Sequence, residues 1–209
     1  MGSAARYLFS VFDITRQVFF ETPLSLGIVN LKPLRPGHVL IISKRVVPRL
    51  ADLEPREVSD LFQTVQRVGR VIESAYKAEA LNIALQDGTA AGQSVPHVHV
   101  HIIPRLRTDF GGKDTDKVYP LLERSEAALD ADLAAGPGDG SQRPATPFTP
   151  SATHDDIGGW DVPPDAERKP RSADEMEAEA SWLSGLLAAA GVQSSSGACA
   201  SAGNRPTSA

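Results

Sequence analysis

Disulfide bonds are out of reach for this 209-residue chain, whose one cysteine, Cys199, sits in a Ser/Ala/Gly-rich tail. With no partner for it, a secreted disulfide scaffold is excluded. Long apolar runs are also lacking. No stretch approaches the ~20 residues of a membrane-spanning helix, and MGSAARYLFSVFDITRQ has no continuous apolar core followed by a small-residue cleavage site. That start falls short of a myristoylation signal because Arg6 stands where Ser or Thr is wanted. A basic surplus is missing too. The formal net charge is -5 and the pI about 5.5, which argues against wrapping nucleic acid. A local cluster of donors can still bind a small anion against that overall charge. Together these absences point to an intracellular protein, cytoplasmic or also nuclear, with neither a membrane nor a nucleic acid as partner.

The apolar content, 41%, is that of an ordinary globular protein, but it is unevenly spread. Residues 1–125 are rich in Val, Ile, Leu and Phe and read as one domain. Residues 126–171, and Gly136 to Arg171 above all, are rich in Pro, Gly, Asp, Ser and Thr. They read as a low-complexity insertion with too little apolar surface to offset the entropy of ordering. His154 falls inside it as an unremarkable residue. Residues 172–190 predict a terminal helix packing back on the domain, and 191–209 a disordered tail.

Tyr7 to Phe12, Gln17 to Glu21 and Leu24 to Asn30 read as strands. Two prolines and a glycine make Lys32 to Gly37 a turn. His38 to Ser43 is an apolar, buried strand. A helix follows, capped by Asp52 or Glu54, with Pro55 in its first turn. Val58, Leu61, Phe62, Val65, Val68, Ile72 and Tyr76 form its apolar stripe, and Gly69 permits close packing against a sheet. Leu81 to Leu85 is a further strand, Gln86 to Ser94 a polar loop, and His97 to Ile103 a strand of clean period-two alternation. Lys117 to Ala135 holds a short helix. In the terminal helix Ser172 and Glu175 form a capping box, with Met176, Ala180, Leu183 and Leu187 on the buried face. The order implies an α+β fold, an antiparallel sheet with one long helix on it and a C-terminal helix.

The chemistry centres on His97-Val98-His99-Val100-His101. Alternation puts the three imidazoles on one face, ~6.6 Å apart, and the valines on the other. Three readings follow. The histidines are polar positions on a half-exposed strand; or they cup a metal, although no Asp or Glu lies nearby in sequence; or one imidazole attacks phosphorus while its neighbours stabilise charge and move protons. The loop before them, with Gln86, Gly92, Gln93 and Ser94, offers donors for an anion, and also reads as a plain polar connection.

His97 to Ile103 fits His-φ-His-φ-His-φ-φ, with φ apolar, and so resembles the histidine-triad superfamily. The segments NLKPLRPGHVLI, DLFQTVQRVG and QDGTAAGQSV, with Tyr119 and the DEMEAEA helix, resemble its fragile-histidine-triad branch, the diadenosine triphosphate hydrolases. The likeness covers about residues 8–123 and 171–187. It implies that residues 1–125 are a catalytic domain that splits diadenosine triphosphate into AMP and ADP through a nucleotidyl group on His99. His101 would contact phosphate oxygens, and His97 and His38 would complete the imidazole network. Asn30 would bind the ribose. Gln86, Gly92, Gln93, Ser94 and Val95 would hold the polyphosphate, and Leu26 and Ile28 would sandwich the purine. A homodimer is implied, as is a divalent ion, magnesium or manganese, arriving with the substrate rather than held by a protein ligand set. At Val11 the chain lacks the polar substrate contact expected in this branch. A phosphoramidate hydrolase or nucleotidyltransferase of the same superfamily is the sister reading. A nucleotide-binding signalling protein, with Tyr119 as a docking or modification point, is the reading from another class.

Overall fold

The computed structural model describes residues 6–138 and 168–194. His154, Cys199 and most of the Gly136 to Arg171 segment lie outside them. The first apolar run does not form a single strand. Ser10 adopts a left-handed φ of 55° and folds the chain back, so that β1 (Leu8–Phe9) pairs antiparallel with β2 (Phe12–Asp13). Val11, at the tip, is 77% exposed.

The remaining strands are β3 (Val18–Glu21), β4 (Ser25–Val29), β5 (Val39–Ser43), β6 (Ala80–Ala84) and β7 (His99–Arg105). They form one antiparallel sheet in the order β3-β4-β5-β7-β6. The expected His97 start of the last strand shifts. His97 and Val98 approach it outside the ladder, where Val98 N–H donates to the Val47 carbonyl at 2.8 Å. The strand instead runs on through Pro104, opposite Leu81.

One face of the sheet packs on α1 (Pro55–Ala75) and α3 (Ala173–Ala189). Val29, Val39, Ile41, Val98, Val100 and Ile102 meet Leu61, Val65, Val68 and Ile72 of α1 there, with Met176, Ala180, Leu183 and Leu187 of α3. Both helices begin as their sequences predict. Glu54 N–H donates to Glu57 at 2.7 Å, ahead of Pro55 in the first turn. Ser172 and Glu175 cap each other at 3.0 and 3.2 Å. At Gly69 a Cβ would stand 3.0 Å from Leu81 Cδ1, so glycine there does allow the close helix–sheet approach. Phe62 departs from the expected stripe. It is 42% exposed, on the flank of α1.

The other face is covered as well, which accounts for β4, β5 and β7 being buried at every position. The N-terminal hairpin and α2 (Val118–Ala135) lie over it. Leu129 joins Phe9, Leu26, Ile28, Leu40, Ile42 and Val95, while Val118 and Leu122 join Leu34 and Ile103. A disordered insertion beginning at residue 126 is therefore corrected at its start, since 126–135 continue α2. The composition averaged over 126–171 hides a leucine repeat of helical period.

A buried ion network ties the turn at 32–37 to the end of β7. The Asp109 carboxylate accepts from Arg35, from Arg105 Nε at 2.8 Å and from Leu106 N–H at 3.0 Å. Among the described residues no helix is long and apolar enough to cross a membrane.

Leu183 is fully buried between α3 and α1. Leu183→Ala is expected to lower unfolding free energy by about 2–5 kcal/mol, read as a drop in the urea midpoint. An unchanged midpoint would mean that the C-terminal helix does not belong to the core.

Candidate active site

The register of β5 against β7 sets Ile42 opposite His99 and Leu40 opposite His101. With Val98, Val100 and Ile102 fastened into the α1 core, His97, His99 and His101 are forced onto the α2 side. All three are buried, as is His38. The Phe9 ring packs on them, 5.4 Å from His97 and 5.2 Å from His99 between centroids.

Each imidazole has its tautomer set by a neighbour. His97 Nδ1 accepts from Ser10 N–H at 2.9 Å, so its Nε2–H donates to the Ser43 carbonyl at 2.7 Å. His38 Nδ1 accepts from Leu34 N–H at 3.1 Å, so its Nε2–H donates to His101 Nδ1 at 2.9 Å. His101 must then carry its own proton on Nε2, pointing out of the strand. His99 is reversed. Its Nδ1–H donates to the His97 carbonyl at 2.7 Å, which leaves Nε2 with a bare lone pair. Of the four, only His99 presents an unprotonated Nε2 to the site.

Opposite that nitrogen sits Glu126, from α2. Its Oε2 lies 3.2 Å from His99 Nε2 and 3.3 Å from His101 Nε2. Ser94 N–H donates to Oε1 at 3.1 Å, and Ser94 Oγ–H donates to the Glu126 backbone carbonyl at 2.5 Å. Among the described residues the His101 Nε2–H has no well-aligned acceptor. This corner, made of Ser94 N–H, His101 Nε2–H and a nucleophilic nitrogen, is shaped for a tetrahedral oxyanion.

Burial pushes His38 well below the ordinary imidazole range, with His101, Arg168 and Arg171 adding to it. Burial also takes His97 down to about 4, against its bond to Ser43. His101 is lowered by burial and partly restored by Glu126. Burial alone would raise Glu126, but contacts with His101 and His99 outweigh it and hold the carboxyl below its usual value.

The other expected residues divide. Ser94 reaches the site. Asn30 is buried beside it, with Nδ2 3.4 Å from His38 Nε2 and Oδ1 accepting from Lys32 N–H at 2.9 Å. Gln86 is near the loop's root, its Oε1 buried with no hydrogen-bond partner among the described residues. Gln93 holds the backbone of the triad strand, its Nε2–H donating at 3.3 Å to the His97 carbonyl that also accepts from His99 Nδ1–H. Its amide bonds Gly88 N–H at 2.8 Å and the Pro48 carbonyl at 2.9 Å, bracing the loop. Gly92 has a left-handed φ of 91° and ends the loop's short turn. Val95, Leu26 and Ile28 share one apolar cluster. Glu126 was not anticipated, although Leu122, Glu126, Leu129 and Leu133 recur at steps of four, three and four.

His99, His101 and Glu126 place one potential ligand atom each within 4.8 Å of the others. Two imidazoles and one carboxylate suit a borderline metal better than magnesium or manganese, which favour oxygen. His101 also turns an N–H, not a lone pair, toward the site. The residues present do not form a cage for either expected ion.

The HIT domain family matches residues 11–108. The chain is 48% identical over 181 residues to the asymmetrical bis(5'-nucleosyl)-tetraphosphatase of Schizosaccharomyces pombe, covering 86% of this chain and 93% of that protein. It is 38% identical over 189 residues to a bis(5'-adenosyl)-triphosphatase of Saccharomyces cerevisiae, covering 86% and 90%. The solved Caenorhabditis elegans NitFhit protein superposes with a TM-score of 0.50 at 38% identity, over 62% of this chain and 31% of that one. The chain belongs to the HIT family.

Holding His97, His38 and His101 neutral makes the fold sensitive to acid. Their folded pKa values lie below the unfolded value near 6.5, so between those values the unfolded chain binds more protons. Stability is then full above about pH 6.5 and falls as pH drops toward 4. His97 alone contributes up to about 3 kcal/mol of that loss. Urea midpoints at pH 7.5 and 4.5 measure it, and a midpoint that rises on acidification would contradict neutral burial.

Proposed function

We propose that this protein hydrolyses dinucleoside polyphosphates, diadenosine triphosphate among them, by two successive displacements at one phosphorus. The observation carrying this reading is the His99 Nδ1–H bond to the His97 carbonyl, which frees Nε2 as a nucleophile in a site whose other imidazoles are donors. In the first step Nε2 attacks the α-phosphorus and forms a P–N bond. The bridging P–O bond breaks, and a nucleoside diphosphate leaves with the electron pair. In the second step water attacks the same phosphorus, the P–N bond breaks, the lone pair returns to Nε2, and AMP departs as the water's proton passes to the surroundings. Ser94 N–H and His101 Nε2–H stabilise the non-bridging oxygens, each donor of this kind being worth ~2.7–4 kcal/mol. The relatives named as a triphosphatase and a tetraphosphatase support this substrate class and leave both chain lengths to be assayed. The single cysteine supports a cytoplasmic or nuclear setting. An accompanying Mg²⁺ or Mn²⁺ would rely on the polyphosphate's own oxygens, and no step here runs through it.

Hydrolysis of diadenosine triphosphate in ¹⁸O-water is expected to place one ¹⁸O in AMP and none in ADP, and His99→Asn to reduce turnover by several orders of magnitude. Label in ADP, or full activity in the variant, would overturn the mechanism. Turnover of adenosine phosphoramidate alone would point to the sister reaction.

A homodimer built on β6 is part of the same proposal. Among the described residues the strand pairs only with β7, and Ile83 on it is 51% exposed. An apolar, unpaired edge of this kind invites a second copy across a two-fold axis. The wild type is expected to sediment as a dimer and Ile83→Lys as a monomer. A monomeric wild type would rule this interface out.

A further inference from the structure

On α2, the side chains of Leu122, Glu126 and Leu129 point at the sheet from one helical stripe. Leu122 packs with Leu34 and Ile103. The Glu126 carboxylate is bracketed by Ser94, His99 and His101 at 3.1, 3.2 and 3.3 Å. Leu129 enters the apolar cluster of Phe9, Leu26, Ile28 and Val95. On the proposed function, on which this inference rests, the seat of Glu126 is where a phosphoryl group must sit and the seat of Leu129 is the apolar patch beside it. A carboxylate shares with a phosphoryl group its negative charge, a pair of acceptor oxygens and the demand for N–H donors. We propose that α2 is an intrachain competitor of the substrate, with Glu126 in the phosphoryl seat and Leu129 against the nucleobase patch, so that a nucleotide enters only as the helix lifts.

Steric exclusion makes the displacement obligatory. A reacting phosphorus must come within ~3–3.5 Å of His99 Nε2, and Glu126 Oε2 already stands 3.2 Å away on that side. The site is also sealed, with the side chains of His99, His101 and Glu126 all buried. Both ends of the segment are built to bend. Phe110, Gly111 and Gly112 have consecutive left-handed φ values of 54°, 70° and 75°, and Gly136 has 81°. Fixed points lie just outside them. Asp109 is locked between Arg35 and Arg105, and Gly138 N–H donates to the Arg171 carbonyl at 3.0 Å. Arg105 holds Phe110 and Thr115, donating to the Thr115 carbonyl at 3.1 Å, so the part that lifts is α2 itself, between 118 and 136. Lys32 Nζ, 3.4 Å from Asp132 Oδ2, adds one partly buried ion pair to the closed form.

A self-occupied site lowers apparent affinity by the fraction of molecules that are open. Removing the competitor should therefore act on KM and leave kcat standing. Steady-state hydrolysis of diadenosine triphosphate by wild type, Glu126→Ala, Glu126→Gln and Leu129→Ala tests this, together with hydrogen exchange of the wild type with and without AMP. The expected results are a KM about tenfold lower in Glu126→Ala, smaller drops in the other two, and AMP speeding exchange across 118–135 while slowing it across 97–101. Should Glu126→Ala fail to fold, the wild-type exchange data decide. An unchanged or higher KM in a folded variant, or full protection of α2 with AMP bound, overturns the proposal while hydrolysis by the wild type leaves the functional reading intact. A wild type that neither turns over the substrate nor responds to AMP at 97–101 sinks both together.

Discussion

The 2.7 Å bond from His99 Nδ1–H to the carbonyl of His97 sets the chemistry of this molecule. It runs between residues two apart, on the same face of the chain. It costs no long side chain and no mobile partner, yet it decides which ring nitrogen carries the proton. Given that choice, the remaining imidazoles have little freedom. Backbone N–H groups of Ser10 and Leu34 impose the opposite tautomer on His97 and His38, and His38 passes it to His101. One nucleophile among donors results from four identical side chains because three meet different backbone groups and the fourth, His101, meets His38.

The sheet protects that arrangement. A slip of one residue between β5 and β7 would turn the imidazoles into the α1 core and the valines into the site. Val98, Val100 and Ile102 oppose such a slip with the apolar surface they share with α1 and α3. The buried tie of Asp109 to Arg35 and Arg105 fixes the far end of β7 to the turn that carries His38. The site is thus mounted on inner strands of the sheet, and the element over it, α2, is flanked by glycines.

Burial is double-edged here. It keeps His38, His97 and His101 neutral, which suits a network that must donate hydrogen bonds without holding surplus charge. Buried polar groups are costly when unpaired, and an empty corner of converging donors would be such a case. The Glu126 carboxylate takes up the Ser94 N–H of that corner and stands 3.3 Å from His101 Nε2. Filling the phosphoryl seat and stabilising the resting fold are one physical event.

Period-two alternation by itself determined that His97, His99 and His101 share a face. The spacing of Leu61, Val65, Val68 and Ile72 determined that a helix covers the other face, and Ser172 with Glu175 where the last helix begins. These signals are local, so they are legible in the chain. The bend at Ser10, the exposure of Phe62 and the bracing role of Gln93 were not, because each depends on which partner the fold supplies. Glu126 belongs with them. It lies 27 residues from His99, in a segment that reads as a short helix on the border of the low-complexity stretch, and only the packing of α2 against the sheet brings its carboxylate to the imidazoles. Local pattern sets faces and ends. Contacts between distant segments, paid for by apolar burial elsewhere on the same helix, decide which groups meet.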